Sequence, residues 1–237
     1  MTLLLLGEGA SDVGESHSSR EGGFRKGPMA YIIDALASGK GVKNICYTLY
    51  SRGDVAVGLK NMKRSIAPRP RDVDKEKQWF FRAACYLGNQ VKAQNKDGAV
   101  FFHDPDHSKS ASKRADVEIE NAMRSGFMVA QCETGVPMVP NPRSEAWLMA
   151  YFQKYLPGQQ PYNKAERFEM YPATDKSPNS LKTLLQRALG CDSSTEVYPR
   201  VMEEISNIDW SRVSMPSFDR FRGRLEIILC KYASANS

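Results

Sequence analysis

Apolar runs alternate with amphipathic segments along most of the chain, and this alternation predicts an α/β layer fold. The first apolar run covers 3–6 and stops at a glycine and an acid, and a later run covers 99–102 and stops at His103. Short apolar runs that end abruptly are typical of buried strands in a parallel sheet. Further strands are predicted at 44–50, 127–132 and 136–139, the last weakened by its proline.

Helical periodicity fills the segments between these strands. Gly39 and Gly126 stand past the ends of two helices, where glycine commonly forms the cap. The aromatic residues 79–81 are predicted to belong to the core. The stretches 16–27 and 51–74 are predicted to be irregular, because the first is rich in serine and glycine and the second contains Ala67-Pro68-Arg69-Pro70-Arg71. The helices are predicted at 28–36, 76–94, 115–124, 143–155, 180–189, 196–207 and 217–232.

The composition of the chain changes after residue 156. A polar segment with several prolines comes first, and segments with helical periodicity follow it. We therefore predict an α/β domain over 1–156, with a basic irregular insertion at 51–75, and a mainly helical extension over 157–237 packed on it. The first apolar run lacks a basic segment before it and stops at Glu8, which favours a strand of a cytoplasmic protein over a signal peptide. No apolar run in the sequence is long enough to cross a membrane.

The cysteine pattern argues against both a zinc site and a disulfide framework, because the count is odd and no pair has CxxC spacing. Most of the thiols are predicted to be buried and to behave as small hydrophobic groups. The five positions are Cys46, Cys85, Cys132, Cys191 and Cys230.

Acidic residues cluster at the ends of two predicted strands. Glu8 and Asp12 follow the first strand, and Asp104 and Asp106 follow the strand at 99–102. The carboxyl ends of parallel strands are where ligands gather in α/β sheets. Crowded carboxylates repel one another unless a cation neutralises them, and oxygen-only sites suit Mg²⁺ or Mn²⁺. The sequence therefore predicts a divalent-metal site formed by these carboxylates.

All of these acids except Glu8 also have a simpler structural interpretation. Asp12 is a residue type that caps helices, and Asp104-Pro105-Asp106 is a typical turn sequence. Glu145 stands in the first turn of a predicted helix, where an acid interacts favourably with the helix dipole, and the residues alone support this role and metal binding equally. His103 and His107 flank the acidic pair and are candidates for contacts with phosphate.

Basic side chains are concentrated before the long helix at 76–94 and again directly after the acidic pair, in a chain whose formal net charge is +6. A solvated charged surface is the usual explanation of such runs. The nearby acidic residues favour a second interpretation, a surface that follows nucleic-acid phosphates beside a metal site. The predicted nucleic-acid contacts are Lys60, Lys63, Arg64, Arg69, Arg71, Lys109, Lys113 and Arg114.

The sequences Glu8-Gly9-Ala10-Ser11-Asp12 and Asp104-Pro105-Asp106 resemble the two motifs of the Toprim family, the topoisomerase–primase domain that the OLD-family nucleases share. The likeness is greatest to small stand-alone Toprim proteins found beside ATPase genes in bacterial and phage defence loci. Those proteins also carry segments similar to 141–150 and 216–221 of this chain. The resemblance implies a Rossmann-like, mostly parallel sheet flanked by helices, with a helical C-terminal extension.

The resemblance also implies metal-dependent phosphoryl-transfer chemistry on nucleic acid. Asp104 and Asp106 match metal ligands, and Glu8 matches a residue of metal binding or acid–base catalysis. Asp12 and Glu145 match positions that hold a second metal in nuclease-type members. Two metals would activate a water and stabilise the leaving oxygen of an in-line displacement.

Nothing in the sequence resembles the additional parts that topoisomerases and primases need, so the resemblance favours a Mg²⁺- or Mn²⁺-dependent endonuclease. We expect it to act in phage defence or toxicity, with an ATPase partner. Lys182 is a candidate for assisting the phosphate charge. Two alternatives stay open: a non-catalytic Toprim module that binds nucleic acid, and a phosphoesterase acting on small molecules. The choice of DNA or RNA and the oligomeric state, a homo-oligomer included, also stay open.

Overall fold

A computed structural model describes residues 1–7, 9, 12–16, 24–62, 75–105, 115–171 and 180–235. The chain divides into two compact units, each assembled from separate stretches of sequence. The first unit consists of Met1–His103, Val117–Met138 and Gly223–Ser237, and the second of Asp104–Asp116 and Val139–Arg222. The chain therefore passes from one unit to the other four times, whereas the sequence predicted a single boundary at 156.

Strands lie in the first unit, and helices are present in both. The strands are β1 (Thr2–Leu6), β2 (Gly14–Ser16), β3 (Phe24–Lys26), β4 (Cys46–Tyr50), β5 (Gly98–Phe102) and β6 (Gly135–Met138). The helices are α1 (Pro28–Ser38), α2 (Arg52–Asn61), α3 (Lys75–Ala93), α4 (Ala115–Val129), α5 (Ser144–Phe152), α6 (Leu181–Leu189), α7 (Ser194–Glu204) and α8 (Pro216–Ala235). Short 3₁₀ helices span Gln153–Tyr155, Ala165–Met170, Ile205–Asn207 and Trp210–Arg212. Among the described residues, no helix combines the length and the apolar character needed to cross a membrane.

A four-stranded parallel sheet with the strand order β4-β1-β5-β6 forms the centre of the first unit, which confirms the predicted α/β class. The two central strands are β1 and β5, and residues 3–6 and 98–102 are all buried. Burial on both faces explains why these strands are unbroken apolar runs. Pro137 is tolerated in β6 because this strand lies at the edge of the sheet, where one side of the strand needs no hydrogen-bond donor.

Strands β2 and β3 pair antiparallel, so the prediction of an irregular stretch at 16–27 is wrong for residue 16 and for 24–26. Gly14 has a φ of +111°, and a Cβ at this position would lie 2.2 Å from the carbonyl oxygen of Arg25. A glycine is needed here because the two strands approach so closely. Sequence composition did not reveal the pairing, because serine and glycine are also typical of loops.

Helix α2 occupies residues that were predicted to be irregular, so this part of the prediction for 51–75 is also wrong. Ser51 caps the helix: its Oγ accepts a hydrogen bond from the Asp54 N–H at 3.1 Å, and the Asp54 carboxylate accepts one from the Ser51 N–H at 2.8 Å. This reciprocal capping box starts the helix before the proline-rich run. Residues 63–74, which include that run, lie outside the described residues.

Helix α4 continues to Val129, so the predictions of a strand at 127–132 and of a helix cap at Gly126 are both wrong. Gly126 lies inside the helix and faces α3, where a Cβ would be 2.1 Å from the carbonyl oxygen of Phe81 and 2.9 Å from the Cβ of Ala84. The glycine therefore permits close approach of two helices. Short apolar runs such as this one fit a strand and a buried helix equally well, and tertiary contact decides between them.

Helix α5 forms the centre of the second unit, and each of its side chains except that of Glu145 is buried. A helix that is apolar on all sides is typically enclosed by other elements. The ring of Trp147 lies 5.1 Å from that of Phe218 and 5.6 Å from that of Phe221. In the described part of the chain after 156, the regular elements are helices, as predicted.

The cysteines are less buried than predicted. Cys85 and Cys132 are buried, whereas Cys46 and Cys230 are exposed and Cys191 is half-buried. Burial raises the pKa of the Cys85 and Cys132 thiols, which keeps them protonated and unreactive at neutral pH.

Candidate functional site

The carboxyl ends of β1 and β5 are neighbours in the first unit. Leu6, the last residue of β1, pairs in register with Phe101 of β5 on one side and Tyr50 of β4 on the other. Gly7 follows and is buried against Val13, where a Cβ would lie 2.4 Å from Cγ1, so a larger residue would disturb this turn. Glu8, the predicted catalytic acid, lies outside the described residues.

Asp12 is half-buried in the turn that leads from β1 to β2. The backbone N–H groups of Asp12 and Val13 both donate to the carbonyl oxygen of Gly9, at 3.3 Å. The carbonyl oxygen of Asp12 accepts a hydrogen bond from the N–H of Met29 at 3.0 Å, in the first turn of α1. These contacts hold the backbone of Asp12 beside a helix N-terminus, where a carboxylate is electrostatically favourable.

His103 has a packing role at the end of β5. The residue is 9% exposed, and the centroid of its ring lies 4.4 Å from that of Phe80. Its backbone N–H donates to the carbonyl oxygen of Met138 at 3.1 Å, which extends the β5–β6 ladder by one residue. The second predicted histidine, His107, lies outside the described residues.

Ser144 holds the carboxylate of Asp104 within the second unit. The Ser144 backbone N–H donates to Oδ1 of Asp104 at 3.1 Å, and the Ser144 Oγ donates to Oδ2 at 3.0 Å. Ser144 is the first residue of α5, so Asp104 caps this helix from 40 residues away in the sequence. A carboxylate has about four lone-pair positions, so capping and binding of a cation are compatible. Asp106 lies outside the described residues.

Glu145 follows Ser144 in the first turn of α5. The structure thus brings two of the predicted metal ligands, Asp104 and Glu145, to the start of one helix in the second unit. Both carboxylates interact favourably with the helix dipole at this end. The position therefore fits the structural and the metal-binding interpretations of Glu145 alike, as it did in the sequence.

Ser217 anchors the segment that carries Ser144 and Glu145. Its Oγ accepts hydrogen bonds from the backbone N–H of Asn141 at 3.2 Å and from Nε1 of Trp147 at 2.8 Å. The same hydroxyl donates to Oε1 of Glu169, so its donor and both of its acceptor positions are used. The segments 141–150 and 216–221, which the resemblance to the Toprim family singles out, are therefore in contact in the second unit.

A group of charged side chains surrounds this anchor. Oε1 of Glu169 also accepts the backbone N–H of Ser217 at 2.8 Å, in the first turn of α8. Burial raises the pKa of Glu169, although the hydrogen bonds from Ser217 and the charge of Arg220 act in the opposite direction. Arg220 in turn forms an ion pair with Asp116, which is 4% exposed.

Sequence reasoning missed Ser144, Ser217 and Glu169. The two serines each stand close after a proline at the start of a helix. Serine and proline are common at helix N-termini, so this pattern indicates no particular partner.

The predicted phosphate contacts are only partly described. Lys60 is exposed in the last turn of α2 in the first unit, and Lys182 is exposed in the first turn of α6 in the second. An exposed lysine is suited to binding phosphate, and a solvated surface residue has the same exposure. The contacts that lie outside the described residues are Lys63, Arg64, Arg69, Arg71, Lys109, Lys113 and Arg114.

Within the described ranges, no group of three or more histidine, cysteine, aspartate or glutamate side chains is arranged to hold a metal ion. Two of the predicted ligands, Glu8 and Asp106, are outside those ranges. The complete carboxylate set therefore stays a prediction.

Comparison of the chain with protein-family models, with curated proteins and with solved structures found no match. The Toprim assignment accordingly stays a prediction.

Proposed function

We propose that the chain is a Toprim-like nuclease that hydrolyses phosphodiester bonds of DNA or RNA with Mg²⁺ or Mn²⁺, acting in phage defence or toxicity with an ATPase partner. The pairing of β1 with β5 carries the proposal. Leu6 and Phe101 share one row of the sheet, and in the sequence Glu8 follows the first by two residues and Asp104 follows the second by three. Ligands of parallel α/β sheets bind at this edge, and crowded carboxylates there favour a divalent cation.

The contacts of Asp104 give further support. Metal ligands are commonly oriented by a hydrogen bond from a second residue, and loss of that residue weakens metal binding. Ser144 supplies two such hydrogen bonds, one to each oxygen of Asp104. The anchoring of the Asn141–Trp147 region by Ser217 fixes Ser144 in turn.

In the proposed reaction, Asp104 and Asp106 would hold the cation, and Glu8 would either be a further ligand or accept a proton from water. Asp12 and Glu145 would be the candidates to hold a second ion. When bound, the cation would supply Lewis acidity to the phosphodiester and lower the pKa of a bound water. The exposed Lys60 and the other predicted basic residues would contact the neighbouring phosphates.

Asp104→Asn is the sharpest test of the metal site. Asparagine keeps one acceptor oxygen, and its amide can donate to the Ser144 hydroxyl, so the cap of α5 persists while the negative charge is lost. Glu8→Gln makes the same charge change on the other motif. Glu133→Gln is the matched control, because the side chain of Glu133 is 83% exposed and pairs with Lys231 on the surface.

The proteins are incubated with plasmid and with tRNA, in Mn²⁺ or in EDTA. We expect cleavage by the wild type and by Glu133→Gln in Mn²⁺ alone, and a loss of at least about 100-fold in Asp104→Asn and Glu8→Gln, as is typical when one charge-stabilising group is removed. Equal cleavage by all four proteins would refute the proposal. Salt-dependent binding in EDTA without cleavage in Mn²⁺ would favour the binding module.

A further inference from the structure

An accessible arginine–tryptophan pair lies in the first unit. The guanidinium carbon of Arg52 is 4.7 Å from the centroid of the Trp79 ring. Arg52 is exposed, and Trp79 is half-buried although it was predicted to belong to the core with Phe80 and Phe81, which are buried. The other two tryptophans of the chain are at most 2% exposed. Trp79 is therefore the tryptophan that solvent and ligands can reach.

The pair stands at the carboxyl edge of the parallel sheet. Arg52 is the first residue of α2 and comes two residues after the end of β4. The Trp79 ring lies 5.6 Å from the ring of Phe101 in β5, at an interplanar angle of 73°. Phe101 and Tyr50 flank Leu6 in one row of the sheet. The two side chains thus occupy the edge where an α/β sheet binds its ligand.

Both members of the pair are held in place by their surroundings. The capping box of Ser51 fixes the start of α2, and therefore the backbone of Arg52. Gly58 brings α2 against α3, because a Cβ there would lie 2.3 Å from the ring of Tyr86. Trp79 makes edge-to-face contacts with Phe80 and Phe101, at centroid distances of 5.2 and 5.6 Å. The Trp79 ring and the backbone of Arg52 therefore have little conformational freedom to lose when a ligand binds.

The chemistry of the pair matches an unpaired nucleotide. Every nucleobase has a flat face that stacks on an exposed aromatic ring, and the adjoining phosphate is bound by a nearby cation. In a duplex the base faces are already stacked on one another, so an aromatic side chain cannot reach them without unstacking. A ring and a guanidinium at the same place therefore select single strands over duplexes.

We propose that Arg52 and Trp79 bind single-stranded nucleic acid, with a base on the part of the Trp79 ring that the Arg52 guanidinium leaves exposed and the adjoining phosphate on Arg52. The inference rests on the proposed nuclease function and narrows its substrate to DNA or RNA with unpaired nucleotides.

The fluorescence of Trp79 gives a direct test. Wild-type protein in EDTA is titrated with oligothymidylate, with oligouridylate and with a blunt DNA hairpin that carries the same number of phosphates. We expect quenching of the accessible tryptophan by one or both single strands and at least about 10-fold weaker binding of the hairpin. The two single-stranded arms also decide between DNA and RNA. Trp79→Phe should abolish the quenching, because the two remaining tryptophans are buried.

Affinity is measured in parallel by the anisotropy of a labelled oligonucleotide. Trp79→Ala should weaken binding roughly 5- to 150-fold, and Trp79→Phe less, because phenylalanine keeps an aromatic face. Arg52→Gln should lower the slope of log affinity against log salt by about 0.7, the value for one phosphate of a single strand. Lys43→Gln makes the same charge change at an exposed residue that precedes β4, at the opposite edge of the sheet, and should leave the slope unchanged.

Normal single-strand affinity in Trp79→Ala, equal affinity of wild type for the hairpin, or equal salt slopes in Arg52→Gln and Lys43→Gln would overturn the site. Because EDTA prevents cleavage, the result is independent of the nuclease proposal. Binding that depends on Trp79 in a protein without Mn²⁺-dependent cleavage would sustain this site and refute the nuclease. Cleavage that depends on Asp104, together with unaltered binding by the Trp79 variants, would sustain the nuclease and refute this site.

Discussion

Replacing Gly126 with alanine should destabilise the protein, although the same change inside an unobstructed helix is stabilising. Gly126 lies within α4 and faces α3 at very short range. Gly223 lies within α8 in the same unit, and a Cβ there would have nothing within 4 Å. Gly223→Ala therefore measures the stability gained when alanine replaces glycine in a helix. Gly126→Ala measures the same gain together with the cost of the steric clash between α4 and α3.

The magnitudes follow from these two environments. Alanine is favoured over glycine in a helix interior by about 1 kcal/mol. At Gly126 the added methyl group would lie 2.1 Å from the carbonyl oxygen of Phe81 and 3.0 Å from the backbone nitrogen of Cys85, atoms that cannot rotate away. Overpacking costs about 1–3 kcal/mol, and rigid backbone neighbours place this site at the upper end. The expected net loss is about 2 kcal/mol at Gly126, against a gain of about 1 kcal/mol at Gly223.

Thermal unfolding followed by circular dichroism measures both changes. A shift of about 2–4 °C per kcal/mol is typical of chains of this length, so Tm should fall by about 4–8 °C in Gly126→Ala and rise by about 2–4 °C in Gly223→Ala. Urea denaturation of the same proteins gives the free energies directly. An increase in stability of similar size in both variants would show that close packing of α3 on α4 does not require the glycine.

Three further outcomes follow from the site and the thiols. Ser144→Ala removes the hydroxyl that orients Asp104, so Mn²⁺ affinity measured by calorimetry should fall about 10- to 100-fold, and an unchanged affinity would contradict the orienting role. Burial raises the pKa of Glu169 above its ordinary 4.5, so the stability conferred by its proton is present below that pH and lost as pH rises through the raised pKa. The difference in unfolding free energy between Glu169→Gln and wild type, measured by urea denaturation, should therefore move in favour of the variant as the pH is raised from acidic to neutral. A difference that does not change with pH would argue against this. Finally, the two exposed cysteines should react with a chromogenic disulfide reagent before the two buried ones do, and a single common rate would be inconsistent with the described burial.

The sheet could be predicted from the sequence because the composition of its central strands reflects their burial. β1 and β5 are unbroken apolar runs because both of their faces are covered, and Pro137 marks β6 as an edge strand. The errors had two different causes. The end of α4 has an apolar run that suits a strand equally well, and α2 was obscured by the prolines that follow it.

The candidate site was less predictable, because its contacts join residues that are distant in the sequence. The pattern around Asp104 gave no indication that its carboxylate would meet Ser144, 40 residues later. Trp79 stands beside Phe80 and Phe81, and this aromatic run predicts burial, whereas in the structure Trp79 is only half-buried and its ring meets Arg52, which is distant in the sequence. A local sequence pattern predicts the face of a helix or strand on which a residue lies. It does not predict which distant residue the side chain contacts.

The interleaving of the two units has a consequence for how the protein is made. The last strand of the sheet ends at Met138, yet the first unit also needs α8 residues such as Leu225 and Leu229, which are fully buried. At roughly 5–20 residues per second, translation of the intervening stretch takes about 5–18 seconds. During that interval the nascent first unit has its described strands but lacks its final helix, so its apolar surface is available to chaperones. The unit becomes complete only after the whole of the second has been synthesised.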